Sequence, residues 1–172
     1  FFSDIVDFTA KSDTLDPDDL SFLVNSYLNR MAMLAIEFGG TLDKFIGDGV
    51  LIFFGDPETK GIEEDARTCV RMAHAMQAAV EELNEAIVRQ GIDARIQVRI
   101  GIATGNCTVG NFGSENRMDY TILGKTVNLA SRLETAADPG GINISRETWL
   151  LVRDGFACDE LEPIRVKGFD QP

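Results

Sequence analysis

Thr41-Leu42-Asp43-Lys44-Phe45-Ile46-Gly47-Asp48-Gly49-Val50-Leu51-Ile52-Phe53-Phe54-Gly55 decides how the rest of the chain is read. Two β-type runs, Thr41 to Ile46 and Val50 to Gly55, flank Gly47-Asp48-Gly49, which has the composition of a hairpin turn. On the N-terminal side, Leu20, Leu23, Tyr27, Met31, Leu34 and Phe38 recur at spacings of 3 and 4, a helical period. Asp16-Pro17-Asp18-Asp19 starts that helix with a capping acid, a proline at the first helical position and acids at the positive end of the dipole. Gly39-Gly40 ends it. Before it, Phe1 to Val6 is an apolar run interrupted by Ser3 and Asp4, and predicts a buried strand.

On the C-terminal side of the hairpin, Ile62, Ala66, Cys69, Ala73, Met76, Val80, Leu83 and Ile87 predict a second long helix that closes at Gly91. Ile96 to Ala103 then alternates Ile96, Val98, Ile100 and Ile102 with Gln97, Arg99, Gly101 and Ala103, a strand with one polar face. The order β-α-β-β-α-β predicts one α+β sandwich of ferredoxin type, its central antiparallel-rich sheet flanked by helices. C-terminal additions follow. Cys107 to Val109 and Met118 to Leu123 read as strands, and Thr126 to Ala137 as a short helix stopped by Asp138-Pro139-Gly140-Gly141. Ile142 to Ile144 reads as a strand, Arg146 to Val152 as a last helix, and Ile164 to Lys167 as the start of a terminal hairpin.

A chain of 172 residues is expected to form a single domain, 1–172, and can bury roughly 70% of its unfolded surface without disulfides or metal. Hydrophobic residues at 44% and charged residues at 26% exclude disordered and collagen-like classes. No apolar run reaches the ~18 residues of a membrane span. The chain begins at Phe1 inside an expected strand, so it reads as a fragment of a longer protein, with any membrane anchor outside it and no membrane contact of its own. The balance of 16 basic and 28 acidic residues gives a net charge of −12, which argues against nucleic acid as a partner. It leaves room for a small phosphorylated ligand if metal ions and a few placed Lys and Arg invert the local sign. Cys69, Cys107 and Cys158 are odd in number and far apart, which disfavours a zinc site and fits a reducing, cytoplasmic setting.

Several residues are candidates for chemistry. Asp4 lies in an apolar strand, where a bare carboxylate is costly unless something pairs with it; backbone amides or a metal ion would both serve. Asp48 belongs to an Asp-Gly turn, common in purely structural hairpins. As neighbours at the centre of the sandwich, the two carboxylates would bind one or two divalent cations. Lys44 shares a strand face with Leu42 and Ile46, where a lysine either snorkels or meets a ligand. Asn128 and Arg132, four apart, share one helix face and read either as an exposed polar pair or as two donors aimed at a phosphate. Lys167 is a lone basic residue near the end. Gly124-Lys125-Thr126 has Asp119 where a phosphate-binding loop needs its first glycine, so a P-loop ATPase is rejected.

Taken in order, Phe2 to Thr9, Asp43 to Gly49, Arg99 to Gly105, Asp119 to Gly124, Thr126 to Glu134 and Val166 to Gly168 resemble the catalytic domain of class III nucleotidyl cyclases across nearly the whole chain. The resemblance implies that Asp4, Ile5 and Asp48 hold two divalent cations, Mg²⁺ or Mn²⁺. One would activate the ribose 3′-hydroxyl and the other would hold the triphosphate. It implies that backbone amides from Ile5 to Thr9, Phe8 and Thr9 among them, contact phosphates, and that Lys167 binds the terminal ones. Lys44 and Thr121 would read the base. Asn128 and Arg132 would orient the ribose and stabilise the transition state. The site would lie between two chains of a homodimer, with metal ligands from one and base, Asn and Arg contacts from the other. Two departures stand out: Asn106 replaces a phosphate-binding Arg of some relatives, and Lys125 follows Gly124 where many have Asp or Asn. Neither removes a core catalytic residue.

The expected substrate follows from donors and acceptors. Adenine offers an acceptor at N1 and a donor at N6; guanine offers the reverse at N1 and O6. Lys44 only donates, so it suits adenine N1, and guanylyl cyclases of the family place Glu there. Thr121 can accept from N6 but also donate, so it discriminates less than Asp would. The expectation is therefore an adenylate cyclase acting on ATP, with a guanylate cyclase making cyclic GMP as the alternative. The alternatives of another class are an inactive nucleotide-binding or dimerisation module, a diguanylate cyclase and a polymerase palm. Phe45-Ile46-Gly47-Asp48-Gly49 differs from the diguanylate cyclase hairpin, and the acidic charge disfavours a polymerase.

Overall fold

The helical periods on either side of the hairpin become α2 (Pro17–Glu37) and α3 (Ile62–Arg89). The computed structural model describes residues 1–163. The strand expected at Ile164 to Lys167, and Lys167 itself, lie outside the described residues. The chain runs β1 (Phe2–Ile5), α1 (Phe8–Ser12), α2, β2 (Thr41–Ile46), β3 (Gly49–Phe53), α3, β4 (Val98–Ile102), β5 (Thr108–Ser114), β6 (Arg117–Leu123), α4 (Lys125–Thr135), β7 (Ile142–Ile144) and α5 (Arg146–Val152). Five strands form one sheet in the order β2-β3-β1-β4-β7, antiparallel except for the β4–β7 pair. The first four strands have the order of a split βαββαβ unit, as expected, and β7 extends its edge. β5 and β6 pair only with each other, in a separate two-stranded ribbon.

Alternation along the strands sorts the two sheet faces. Phe1, Ile5, Val50, Ile52, Val98, Ile100 and Ile102 join one core cluster with Leu23, Tyr27 and Met31 of α2 and Met72, Met76 and Val80 of α3. Burying this apolar surface at roughly 25 cal/mol per Å² is the main force holding the helices to the sheet. Ser3 shares that face and is fully buried; its hydroxyl and the Tyr27 hydroxyl satisfy each other at 3.1 Å. The intervening residues Asp4, Arg99 and Gly101 face the other way, toward α4. A Cβ at Gly101 would lie 2.1 Å from the Ala130 carbonyl oxygen and 2.2 Å from the Glu134 amide nitrogen, so glycine is what lets α4 lie directly on β4.

One local expectation is corrected. Leu42 pairs with Ile52 and Lys44 with Leu51, so a bulge at Asp43 puts two residues of β2 in the space of one. Lys44 therefore faces away from Leu42, which packs against the core, and shares its face with Ile46 alone.

Candidate active site

Strand register brings the two candidate metal carboxylates together. Ser3 pairs with Val50, so the β2–β3 turn lies beside the end of β1. Asp48 Oδ2 accepts a hydrogen bond from the Ile5 amide at 3.0 Å, tying the turn to the strand that carries Asp4. Asp4 is half-buried, and its Oδ1 has no hydrogen-bond partner among the described residues. Arg99 Nη2 stands 3.6 Å from that oxygen. Burial raises the Asp4 carboxyl above the usual range, the charge of Asp48 adds to the rise, and Arg99 opposes it. Two crowded acids with an orphan oxygen are short of positive charge, and hard oxygen donors suit Mg²⁺ or Mn²⁺. Among the described residues, no group of three or more His, Cys, Asp and Glu forms a metal cage. A site of two carboxylates is an open one, leaving positions for water and phosphate oxygens as Mg²⁺ prefers.

Three residues of this neighbourhood escaped sequence reasoning. Glu134, on α4, is buried at 5% exposure, and its Oε1 lies 3.3 Å from Arg99 Nε. Burial, then the charge of Asp4, pushes its carboxyl up to about 7, against the pull of Arg99. Arg99 also donates from Nη1 to the Thr135 carbonyl oxygen at 3.4 Å, so one guanidinium spans β1 and the end of α4. The polar face of the Ile96–Ala103 strand signalled Arg99 without naming its partner. The third is Asp43, whose side chain is fully buried. Its Oδ2 accepts from the Thr121 hydroxyl at 2.6 Å and from the Ile122 amide at 3.0 Å. Lys44 Nζ stands 3.3 Å from its Oδ1, at ion-pair distance but outside hydrogen-bond geometry. The candidate base readers Lys44 and Thr121, 77 positions apart by their numbers, thus meet at one carboxylate.

Phe8 and Thr9 open the short helix α1, which sequence reasoning did not anticipate. Their amides have no acceptor inside the helix. Asp7 before them takes the left-handed conformation, φ 53°, that turns the chain out of β1. Asn128 and Arg132 are exposed one turn apart on α4, and neither side chain has a hydrogen bond or ion pair among the described residues. Lys125, the first residue of α4, is exposed, as is Asn106. A cavity of about 480 Å³ opens beside the ribbon, lined by Phe53, Ile102, Cys107, Val109, Ile122 and Val127 among others. None of Asp4, Lys44, Asp48, Thr121, Asn128 and Arg132 lines it; Asn128 and Arg132 stand exposed on α4, whereas Thr121 is buried against Asp43.

The model of the family "Adenylate and Guanylate cyclase catalytic domain" matches residues 1–172. The adenylate cyclase of Anabaena cylindrica is 33% identical over 99% of this chain and 34% of its own length. The terminal-differentiation specific adenylate cyclase of Dictyostelium discoideum is 36% identical over 98% of this chain and 8% of its own. The chain thus spans about a third or less of these relatives. Among solved structures, the adenylyl cyclase CyaB from P. aeruginosa is 50% identical, covering 99% of this chain and 87% of that one, with a TM-score of 0.96. The guanylyl cyclase Cya2 is 35% identical, covering 98% and 84%, with a TM-score of 0.91.

Proposed function

The chain belongs to the adenylate and guanylate cyclase catalytic-domain family, and on that premise we propose that residues 1–172 act as one catalytic domain converting ATP to 3′,5′-cyclic AMP and pyrophosphate. The observation that carries the reading is the meeting of Asp4 with Asp48, fixed by the Ile5 amide. Asp4, Asp48 and the Ile5 carbonyl would hold two Mg²⁺ or Mn²⁺ ions. Bound there, the ions would lower the pKa of the ribose 3′-hydroxyl and neutralise phosphate charge. The 3′-oxygen attacks the α-phosphorus, its proton passes to solvent water, and the bond from the α-phosphorus to the bridging oxygen breaks in line, its electron pair leaving with pyrophosphate. Negative charge grows on the equatorial oxygens and on the departing pyrophosphate. Arg132 would balance the former, Asn128 would hold the ribose, and the Phe8 and Thr9 amides, with Lys167, would hold the phosphates. No protein nucleophile is required.

Lys44 and Thr121 support ATP, because a donor and an acceptor match adenine N1 and N6. The 50% identity to an adenylyl cyclase of known structure points the same way. Guanylate cyclase is the second reading, favoured by the 35% identity to the guanylyl cyclase Cya2. The site would form between two copies of the chain. No helix among the described residues is long and apolar enough to cross a membrane. A cytoplasmic setting fits ATP as substrate.

The test is product identity with ATP and with GTP, in Mg²⁺ and in Mn²⁺, for the wild-type chain and for Asp4→Ala and Asp48→Ala. The expected result is cyclic AMP from the wild type and a loss of at least about a thousandfold in each variant, with folding intact. Cyclic product from either variant at a comparable rate would refute the metal role.

A further inference from the structure

Thr121 has one hydroxyl proton, and the structure commits it. The hydroxyl donates to Asp43 Oδ2 at 2.6 Å, a length typical of a charge-assisted bond. The same oxygen takes the Ile122 amide at 3.0 Å, which anchors the carboxylate to the β6 backbone. The Asp43 side chain is fully buried, so water is not at hand to replace either donor. The β2 bulge is what aims it there: Asp43 is the extra residue between Leu42 and Lys44, released from strand pairing and turned toward β6. Its other oxygen lies 3.3 Å from Lys44 Nζ.

We propose that Asp43 is a positioning residue for purine selection: by taking the hydroxyl proton of Thr121, it leaves Thr121 only lone pairs to offer the base. This rests on the reading of Lys44 and Thr121 as base contacts, and it goes beyond that reading. A free threonine hydroxyl accepts from adenine N6 and donates to guanine O6 with equal ease. With Asp43 in place, donation to O6 requires breaking a charge-assisted bond inside the protein to form a neutral one. Thr121 then behaves toward the base as an acceptor, much as an aspartate would. Lys44, held by the same carboxylate, keeps donors for N1. Both positions then match adenine and both oppose guanine.

The experiment measures kcat/KM for ATP and for GTP, with Mg²⁺, in the wild-type chain, Asp43→Ala, Asp43→Asn, Thr121→Ser and Thr121→Val. Asp43→Ala is expected to cut the ATP-to-GTP ratio about tenfold or more, the scale of one mispaired buried polar contact. Asp43→Asn keeps an oxygen able to accept from both Thr121 and Ile122, and should retain most of the ratio. Thr121→Ser should hold the ratio and Thr121→Val should lose it, with no further loss when Asp43→Ala is added. An Asp43→Ala chain that loses activity on both nucleotides equally, leaving the ratio at its wild-type value, would show a merely structural role and overturn the proposal. If Asp43→Ala does not fold, an unchanged ratio in Thr121→Val overturns it instead. A wild-type chain that uses neither nucleotide, or prefers GTP, overturns the adenylate cyclase reading and this proposal together; an ATP-selective wild type beside an unmoved variant ratio overturns the proposal alone.

Discussion

Glu134 packs beside Asp4 and Asp48 with one guanidinium, that of Arg99, among three acids. This shortage of positive charge has a consequence for stability in the absence of metal. Unfolded, Glu134 titrates near 4.5; folded, near 7. Between those values the native chain holds a proton that the unfolded chain has released. Stability therefore falls as pH rises from about 4.5 through about 7, and changes little from this group above that. Asp4 is shifted upward as well and contributes with the same sign. The Glu134 contribution to the fall is at most about 3.5 kcal/mol, since each pK unit is worth about 1.4 kcal/mol. Urea unfolding of the metal-free chain at pH 5 and at pH 7.5 checks this. The wild type should lose stability between the two, and Glu134→Gln should flatten the slope. Equal slopes would mean that Glu134 titrates as in water. The residue also shows where sequence reading stops. Leu133 and Glu134 are adjacent and both buried, so the helical period alone does not assign Glu134 to a polar cluster. What does so is the cross-strand pairing of Asp4 with Arg99, a long-range fact of register.

At the scale of elements, α4 matters most, because it carries Asn128 and Arg132 and lies against β4 through Gly101. Gly101→Ala would drive a methyl group to within 2.1 Å of the Ala130 carbonyl oxygen, and backbone cannot swing aside as a side-chain tip can. The expected cost is about 3 kcal/mol, with α4 displaced from the sheet. Thermal unfolding should show a lowered Tm, and turnover should fall more steeply than the folded fraction because the two α4 residues move with their helix. Turnover that simply tracks the folded fraction would separate the packing of α4 from the chemistry. The elements around it differ in how plainly the sequence declares them. α2 and α3 are long and keep a clear period, and the β2–β3 hairpin announces its own turn, so the βαββαβ order is legible. β5 was expected only at Cys107 to Val109, because Gly110, Asn111 and Gly113 break the β-type pattern; the ribbon is held by pairing with β6 out to Ser114. α1, at five residues, is too short to show a period. The bulge at Asp43 leaves no mark in composition, so the partner of Lys44 and Thr121 becomes visible only once β2 and β6 are brought together.

At the scale of the molecule, the proposed function calls for a second copy. Phe45 and Ile46 of β2 and Met118, Tyr120 and Leu123 of β6 are large apolar or aromatic side chains left exposed. Exposed side chains of this kind, near the candidate site, are what an interface between copies would cover. Asn128 and Arg132 are exposed as well, without side-chain partners among the described residues. In the proposed two-fold dimer, the carboxylates of one chain would meet the candidate base readers and the α4 residues of the other, twice. Complementation between two dead variants tests it. On the proposed roles, Asp4→Ala homodimers would lack both metal sites and Arg132→Ala homodimers both transition-state arginines, so each should be inactive alone. Mixed dimers would hold one doubly damaged site and one intact site. Random mixing at equal amounts makes half of the dimers mixed, so recovered activity should approach about a quarter of wild type. Two different affinity tags would verify that mixed dimers form. If they form and activity stays at the level of the separate variants, the chemistry is confined within single chains, and Asp4 and Arg132 do not serve one site across an interface.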